Sequence, residues 1–217
     1  MPLSTQQLIQ FLTASFLMTI APGPDVMATL SLGLSKGWRI AVCFGIGCGL
    51  GCLFHTSLAV LGVTAVIKSS ATAYSLLKYC GAGYLLWLGI GLLRTSAGTA
   101  ASEGAKTVSG NSTAELSARG YFLKGLLANA VNPKVALFFT AFLPPFVNES
   151  AGNEEWQLAL LGLVFTCQAV VIFGLLGFFS GRISEGLRSH PRAVWWLDRM
   201  TGMVFLWLSL LMLIPER

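Results

Sequence analysis

Two charged residues, Asp25 and Lys134, each follow a proline directly inside a long apolar stretch of the sequence. A charge near the centre of a bilayer costs about 2.5–3.5 kcal/mol on insertion scales, and a proline in a helix interior costs about 3 kcal/mol. A charged helix break is tolerated at membrane depth only where it is buried in protein or lines a cavity. The pattern therefore predicts a binding site at each break, with a carboxylate at one and an ammonium at the other.

Prolines and a glycine define the two predicted breaks, because proline lacks a backbone donor and clashes with the preceding helical turn. Asn129 and Asn132 flank the second break and add neutral hydrogen-bonding groups beside Lys134. The residues predicted to break the helices are Pro22, Gly23, Pro24 and Pro133.

The composition indicates an integral membrane protein rather than a soluble domain. Hydrophobic residues make up 54% of the chain and charged residues only 11%, whereas a soluble domain carries about 25% charged residues. The net charge of +5 comes from basic residues scattered between apolar runs, so nucleic acid is not an expected partner. The lipid bilayer is the expected surroundings, and neither a metal nor a cofactor is predicted.

Six stretches of the sequence are long and apolar enough to span a bilayer, which takes about 20 residues. They are predicted at residues 7–34, 40–67, 74–93, 121–146, 156–179 and 195–214. A polar segment over about residues 95–120 is rich in Ser, Thr, Gly and Ala and is typical of a flexible loop. We expect an all-α integral membrane fold in which residues 1–217 form a single transmembrane domain.

The two breaks also indicate an internal repeat. Pro24-Asp25-Val26 matches Pro133-Lys134-Val135, and the offset of 134 − 25 = 109 is half the chain length to within one residue. Repeat one would cover about residues 5–94 and repeat two about 121–214. With three spans in each, the second copy is inverted, and the first and fourth of the six helices are broken. Paired broken helices of this kind are typical of transporters whose site lies near the bilayer midplane.

Other residues in the predicted helices are weaker site candidates. His55 and Gln168 are polar groups within apolar spans, although a single histidine in a helix is more often a packing residue than a ligand. Glycines on the second helix form two overlapping GxxxG spacings, which favour close helix packing. This packing could occur within one subunit or between the subunits of a homo-oligomer. The glycines are Gly45, Gly47, Gly49 and Gly51.

Basic residues are distributed unequally between the two predicted sides of the membrane. The side that bears Lys68, Lys78 and Arg217 has three of them, and the opposite side has nine. The positive-inside rule therefore predicts that both termini lie outside the cytoplasm. The nine are Lys36, Arg39, Arg94, Lys106, Arg119, Lys124, Arg182, Arg188 and Arg192.

These motifs, taken together and in order, resemble the LysE/RhtB family of amino-acid exporters. The resemblance covers nearly the whole chain except the central loop. One departure is Cys52, where many members carry an acidic residue after the glycine that matches Gly51. The matching residues are Pro22-Gly23-Pro24-Asp25, Gly37, the glycine-rich second helix to His55 and Gly62, Gly81-Ala82-Gly83-Tyr84-Leu85, Asn132-Pro133-Lys134, Phe138-Phe139, Pro144 and Phe146.

The resemblance implies an exporter in the bacterial inner membrane, driven by the proton motive force, rather than an enzyme. Its substrate would be an amino acid or related metabolite, and a site with one acid and one base fits neutral amino acids such as threonine, homoserine or leucine. Asp25 would pair with the substrate ammonium or carry the coupling proton. Lys134 would pair with the substrate carboxylate, or with Asp25 when the site is empty. Asn129 and Asn132 would supply neutral hydrogen bonds.

Five other interpretations remain open at this point. Asp25 and Lys134 could form a structural ion pair that locks the two repeats, or Lys134 could extend to the membrane interface. A passive channel for small metabolites would share the fold. Residues 33–37 match the G-x-S-x-G hydrolase motif, but no preceding strand or partner residues are evident. A thiol carrier is disfavoured because neither broken helix contains a cysteine.

Overall fold

A computed structural model describes residues 5–65, 70–94, 116–148, 151–189 and 191–213. Within these ranges the chain is helical and contains no strand. The helices are α1 Thr5–Ile20, α2 Pro24–Lys36, α3 Trp38–Leu58, α4 Ala71–Arg94, α5 Ala118–Ala130, α6 Pro133–Leu137, α7 Glu154–Phe178, α8 Ser180–Ser189 and α9 Pro191–Leu213. Wider π-helical turns extend α3 through Ala59–Val63 and α6 through Phe138–Phe142, and a 3₁₀ turn covers Pro144–Phe146.

Both predicted helix breaks are present. The axes of α1 and α2 differ by 51°, and α5 differs by 49° from the segment Pro133–Phe146. Pro24 and Pro133 each occupy the first turn of the helix that resumes after the break. Proline is favoured there because the first helical N–H groups have no intrahelical partner. The same residue type therefore ends one half-helix and starts the next.

By length and composition, two helices in the described part of the chain could each cross a membrane, namely Trp38–Gly62 and Glu154–Phe178. Each bent pair also qualifies if it is counted as one span, which gives up to four. Helices α4 and α9, of 24 and 23 residues, coincide with the third and sixth predicted spans. Each is about 35 Å long at 1.5 Å per residue. The complete set of six spans stays a prediction.

One glycine face of α3 packs against α7. A Cβ added at Gly45 would lie 2.6 Å from the Phe173 carbonyl oxygen, and one at Gly49 would lie 2.7 Å from the Val170 Cα. Only glycine permits so close an approach between the two backbones. The first GxxxG spacing therefore packs α3 against α7 within the subunit.

The other glycine face of α3 packs against α5. A Cβ at Gly47 would collide with the Phe122 carbonyl, and one at Gly51 would lie 2.7 Å from the Asn129 Cβ. The two overlapping spacings in the sequence thus serve two different partner helices. These four glycines therefore pack against helices of the same subunit.

The contacts also define the relative directions of the helices. Phe44 meets Gly125 and Gly51 meets Asn129, so α3 and α5 run parallel, whereas α3 and α7 run antiparallel. Helices α4 and α9 are antiparallel too, since Gly89 lies against Gly202 and the Ser209 hydroxyl donates to the Ala82 carbonyl over 2.8 Å. These directions agree with a chain that crosses the membrane in alternating senses.

Helix α8 lies between the fifth and sixth predicted spans, where no helix was predicted. The segment is short and polar, so it lacks the apolar length that identifies a spanning helix. In the fold it packs on α2, where Ser180 contacts Gly33 and the Ser184 hydroxyl donates to the Leu30 carbonyl over 3.3 Å.

The predicted boundaries differ from the structure by a few residues. Helix α4 begins at Ala71 rather than residue 74, and α5 begins at Ala118, inside the predicted polar loop. Residues 66–69, at the end of the second predicted span, and residues 95–115, most of that loop, lie outside the described residues.

Candidate functional site

Asp25 lies at the centre of a hydrogen-bonded cluster that joins the two helix breaks. Its side chain is only 6% exposed and lies in the first turn of α2, where the helix dipole favours a negative charge. The Oδ2 oxygen accepts hydrogen bonds from Asn129 Nδ2 at 2.8 Å and from Asn132 Nδ2 at 2.9 Å. Both amides therefore bind the same carboxylate oxygen.

Asn129, near the C-terminal end of α5, is fixed by contacts on both sides of its amide group. Its Oδ1 accepts a weak hydrogen bond from Cys52 Sγ at 3.6 Å, while its Nδ2 donates to Asp25. The Asn129 backbone carbonyl accepts from His55 Nε2 at 2.9 Å. A thiol donor on one side and a carboxylate on the other leave only one orientation of the amide that satisfies both.

Asn132 links the second break to the first. It is the N-cap of α6, and its Oδ1 accepts from the Lys134 backbone N–H at 3.0 Å. A side-chain acceptor at this position satisfies one of the unpaired donors at a helix start. Since the Nδ2 of the same side chain donates to Asp25, one residue both begins α6 and binds the carboxylate on α2.

Lys134 interacts with the other half of the first break. Its Nζ donates to the Ala21 carbonyl at 3.0 Å, and it lies 5.7 Å from the centre of the Phe205 ring. Ala21 follows the last residue of α1, and a helix C-terminus favours a positive charge. The expected direct pair between Lys134 and Asp25 is not formed, because neutral groups of the opposite break hold each charge.

Two cavities meet at this cluster, and Asp25 and Asn132 line both. The smaller, of about 20 Å³, has room for about one water molecule and is bordered by α1, α2, α3, α5, α6 and α7. Lys134, Asn129 and Cys52 face this pocket. The larger cavity, of about 190 Å³, lies between α2 and α5 with one contact to α3. Asp25 and Asn132 are therefore shared by a water-sized pocket and a much larger cavity.

His55 supports the cluster without touching Asp25. It is 2% exposed, and because its partner is a carbonyl, Nε2 must carry the proton of this hydrogen bond. Its ring lies 5.7 Å from that of Phe54 and 5.8 Å from that of Phe139, between centroids. His55 thus contacts the backbone of Asn129, which in turn donates to Asp25.

Gln168 lies apart from this cluster and lines neither cavity. Its Oε1 accepts from the Ser15 hydroxyl at 3.1 Å, which ties α7 to α1. Its Nε2 is buried with no hydrogen-bond partner. The structure therefore brings Asp25, Asn129, Asn132 and Lys134 together but leaves Gln168 outside.

The sequence analysis did not identify two further polar residues as candidate site residues. Lys124 lines the larger cavity, but in the sequence it was only one of many basic residues near a helix start. Asp198 on α9 is 1% exposed, and its Oδ1 has no hydrogen-bond partner. The available signal for Asp198 was an acidic residue inside a predicted span, which is rare and tends to be functional.

Comparison with known proteins places the chain in a family of membrane translocators. A model of the LysE type translocator family matches residues 16–216. An uncharacterized membrane protein of Vibrio cholerae is 30% identical over 206 residues, which cover 94% of this chain and 95% of that protein. No solved structure matches the chain significantly.

Two relatives carry names that state an activity. The threonine efflux protein of Escherichia coli is 28% identical over 202 residues, covering 91% of this chain and 94% of the relative. The homoserine/homoserine lactone efflux protein of Salmonella typhimurium is 26% identical over 197 residues, covering 90% of each chain. The chain is similar to these relatives along almost its whole length, and it belongs to the LysE type translocator family.

Proposed function

We propose that this chain is a secondary active exporter of neutral amino acids such as threonine, homoserine or leucine, or of related metabolites, coupled to the proton motive force. The observation that carries the proposal is the position of Asp25. It is a buried carboxylate, bound by two amides through a single oxygen, at the boundary between two cavities. A translocator needs a group of this kind, which can bind from one side and release to the other.

The second oxygen of Asp25 can accept a substrate ammonium or a proton. Either ligand neutralises the buried charge, so the two compete for the same carboxylate. Competition of this kind couples proton movement to substrate movement in opposite directions. The half-helix ends add dipoles that favour the substrate carboxylate at N-termini and the ammonium at C-termini. Lys134, at the other break, is the proposed partner of the substrate carboxylate on the far side of the boundary.

The packing supports an inverted arrangement of two three-span repeats. Counterparts in the two predicted repeats pack against each other in antiparallel pairs, α3 with α7 and α4 with α9. The bends at the two breaks, 51° and 49°, are nearly equal. An in-plane two-fold relation between repeats produces both features. In this arrangement the protein lies in the inner membrane with both termini outside the cytoplasm.

The proposal is tested by export from cells that overproduce the protein and are fed dipeptides. Each released amino acid is assayed in the medium, with and without an uncoupler of the proton gradient. We expect selective release of one or a few neutral amino acids, against their gradient, and loss of that release with the uncoupler. Release that only follows the gradient and ignores the uncoupler would instead identify a passive channel.

A further inference from the structure

The larger cavity, between α2 and α5, has the composition of a binding site for a small zwitterion. At one end are Asp25 and Asn132, and on the α5 wall is Lys124. The remaining lining is apolar or small: Pro24, Ala28, Phe44, Ala128, Val131 and Pro133. A cavity with charged groups of opposite sign and an apolar wall between them matches a molecule with one ammonium, one carboxylate and an uncharged side chain.

The spacing along α5 agrees with this assignment. Lys124 precedes Asn129 by five residues, or about 7.5 Å along the helix axis, and the Asn129 amide lies 2.8 Å from the Asp25 carboxylate. A zwitterion with a hydrogen bond at each end can bridge that separation. The flexible stem of a lysine allows its ammonium to follow the exact position of the ligand.

Lys134 does not line this cavity. It lines the pocket of about 20 Å³, and its ammonium donates to the Ala21 carbonyl at the end of α1. The carboxylate of a ligand in the larger cavity therefore needs a different cation. Lys124 is the cationic residue that lines this cavity.

We infer that the cavity between α2 and α5 is the loading site for a small neutral α-amino acid, with the ammonium at Asp25 and the carboxylate at Lys124. This inference deepens the proposed export function and rests on it. The positive-inside rule places Lys124 near the cytoplasmic side, where an exporter collects its substrate. Ala28 and Ala128, the small residues of the wall, leave room beside the charged groups for the side chain of the ligand.

The first test is alkylation of Ala128→Cys in inside-out membrane vesicles with a membrane-impermeant maleimide. Threonine, homoserine and leucine are added in turn as protecting ligands. We expect labelling above that of the wild-type protein, and a several-fold decrease with at least one amino acid. Leu127→Cys is the matched control, because Leu127 is the preceding residue of α5 and is 63% exposed. Its labelling should not respond to any amino acid.

The second test asks whether Lys124 recognises a carboxylate. Threonine and its decarboxylated analogue, 1-aminopropan-2-ol, are compared as protecting ligands of Ala128→Cys, alone or combined with Lys124→Gln or Lys124→Arg. We expect Lys124→Gln to weaken protection by threonine about ten-fold or more, as is typical for loss of a charge-assisted hydrogen bond. Protection by the amine should not change, and Lys124→Arg should restore the preference for threonine. A merely structural role of Lys124 would weaken both ligands equally.

The outcomes separate this inference from the exporter function. Absence of labelling in Ala128→Cys, labelling that no amino acid reduces, or an unchanged preference when Lys124→Gln is added would each overturn the loading site. If the wild-type protein still exports amino acids in that case, the proposed function stands without it. Protection of the introduced thiol without any export by the wild-type protein would instead support the site and contradict the exporter.

Discussion

At the scale of single residues, each charge at the breaks is stabilised by a helix end and by neutral dipoles. Asp25 lies in the first turn of α2 and receives two amide hydrogen bonds, while Lys134 donates to the carbonyl at the end of α1. A direct ion pair between two such groups would strongly disfavour the separation that transport requires. Because its hydrogen-bond partners are neutral, each charged group can release them and bind a ligand instead.

Asn132 allows the helix cap to be separated from the bond to Asp25. Serine at this position retains a capping oxygen but lacks the amide donor, whereas alanine lacks both. We expect Asn132→Ala to lower the free energy of unfolding by about 1 kcal/mol through the lost cap, and Asn132→Ser to lower it less. Export from cells should decrease strongly in both variants. The melting temperatures of the purified proteins are measured in parallel. Full export by Asn132→Ser would show that the bond to Asp25 is dispensable.

At the scale of helices, close packing of α3 determines where the site residues lie. A glycine at position 51 lets α5 approach until Asn129 reaches Asp25, and His55, one turn further along α3, holds the Asn129 carbonyl. The site is thus assembled by backbone contact between helices rather than by a flexible loop.

Gly51→Ala should therefore disturb both stability and transport. The added Cβ would lie 2.7 Å from the Asn129 Cβ and 2.9 Å from the Leu126 carbonyl, so α3 and α5 must separate. We expect the free energy of unfolding to decrease by about 1–3 kcal/mol, as in overpacked cores, and export to be reduced. Gly91→Ala on α4 is the control, because nothing lies within 4 Å of its added Cβ. Equal melting temperatures for the two variants would contradict this account of the packing.

Local chemistry explains which features were predictable. The breaks followed from proline, whose missing donor and fixed ring act on the adjacent turn, and the GxxxG spacings followed from helical periodicity. The partner of Lys134 depends on which helices meet, so the sequence left several alternatives open and did not predict its bond to the Ala21 carbonyl. Lys124 was overlooked for the same reason, since its position beside the larger cavity depends on how α2 and α5 pack.

At the scale of the whole molecule, the two cavities on either side of Asp25 differ about ten-fold in volume. The space beside Asp25 is thus much larger in one cavity than in the other. In an inverted repeat, rocking of one repeat against the other exchanges these two conditions around a fixed site. In this conformation the larger cavity is the one that Lys124 lines.

The orientation of the molecule can be tested with reporter fusions. A phosphatase that is active only outside the cytoplasm should be active when fused after Arg217 and inactive when fused at residue 106 in the central loop. A fluorescent protein that folds only in the cytoplasm should give the opposite pattern. The reverse result for both reporters would contradict the predicted orientation and would place Lys124 near the outer side of the membrane.

The most direct measurement is uptake of radioactive threonine, homoserine or leucine by proteoliposomes with an imposed proton gradient. Wild-type protein should accumulate at least one of them above its external concentration, in the direction opposite to proton flow. Asp25→Asn, which retains the shape but can neither carry the charge nor exchange a proton, should abolish accumulation. Leu127→Phe, a substitution on the exposed face of α5, should not. Proton-driven accumulation by Asp25→Asn equal to that of the wild type would contradict the central role assigned to Asp25.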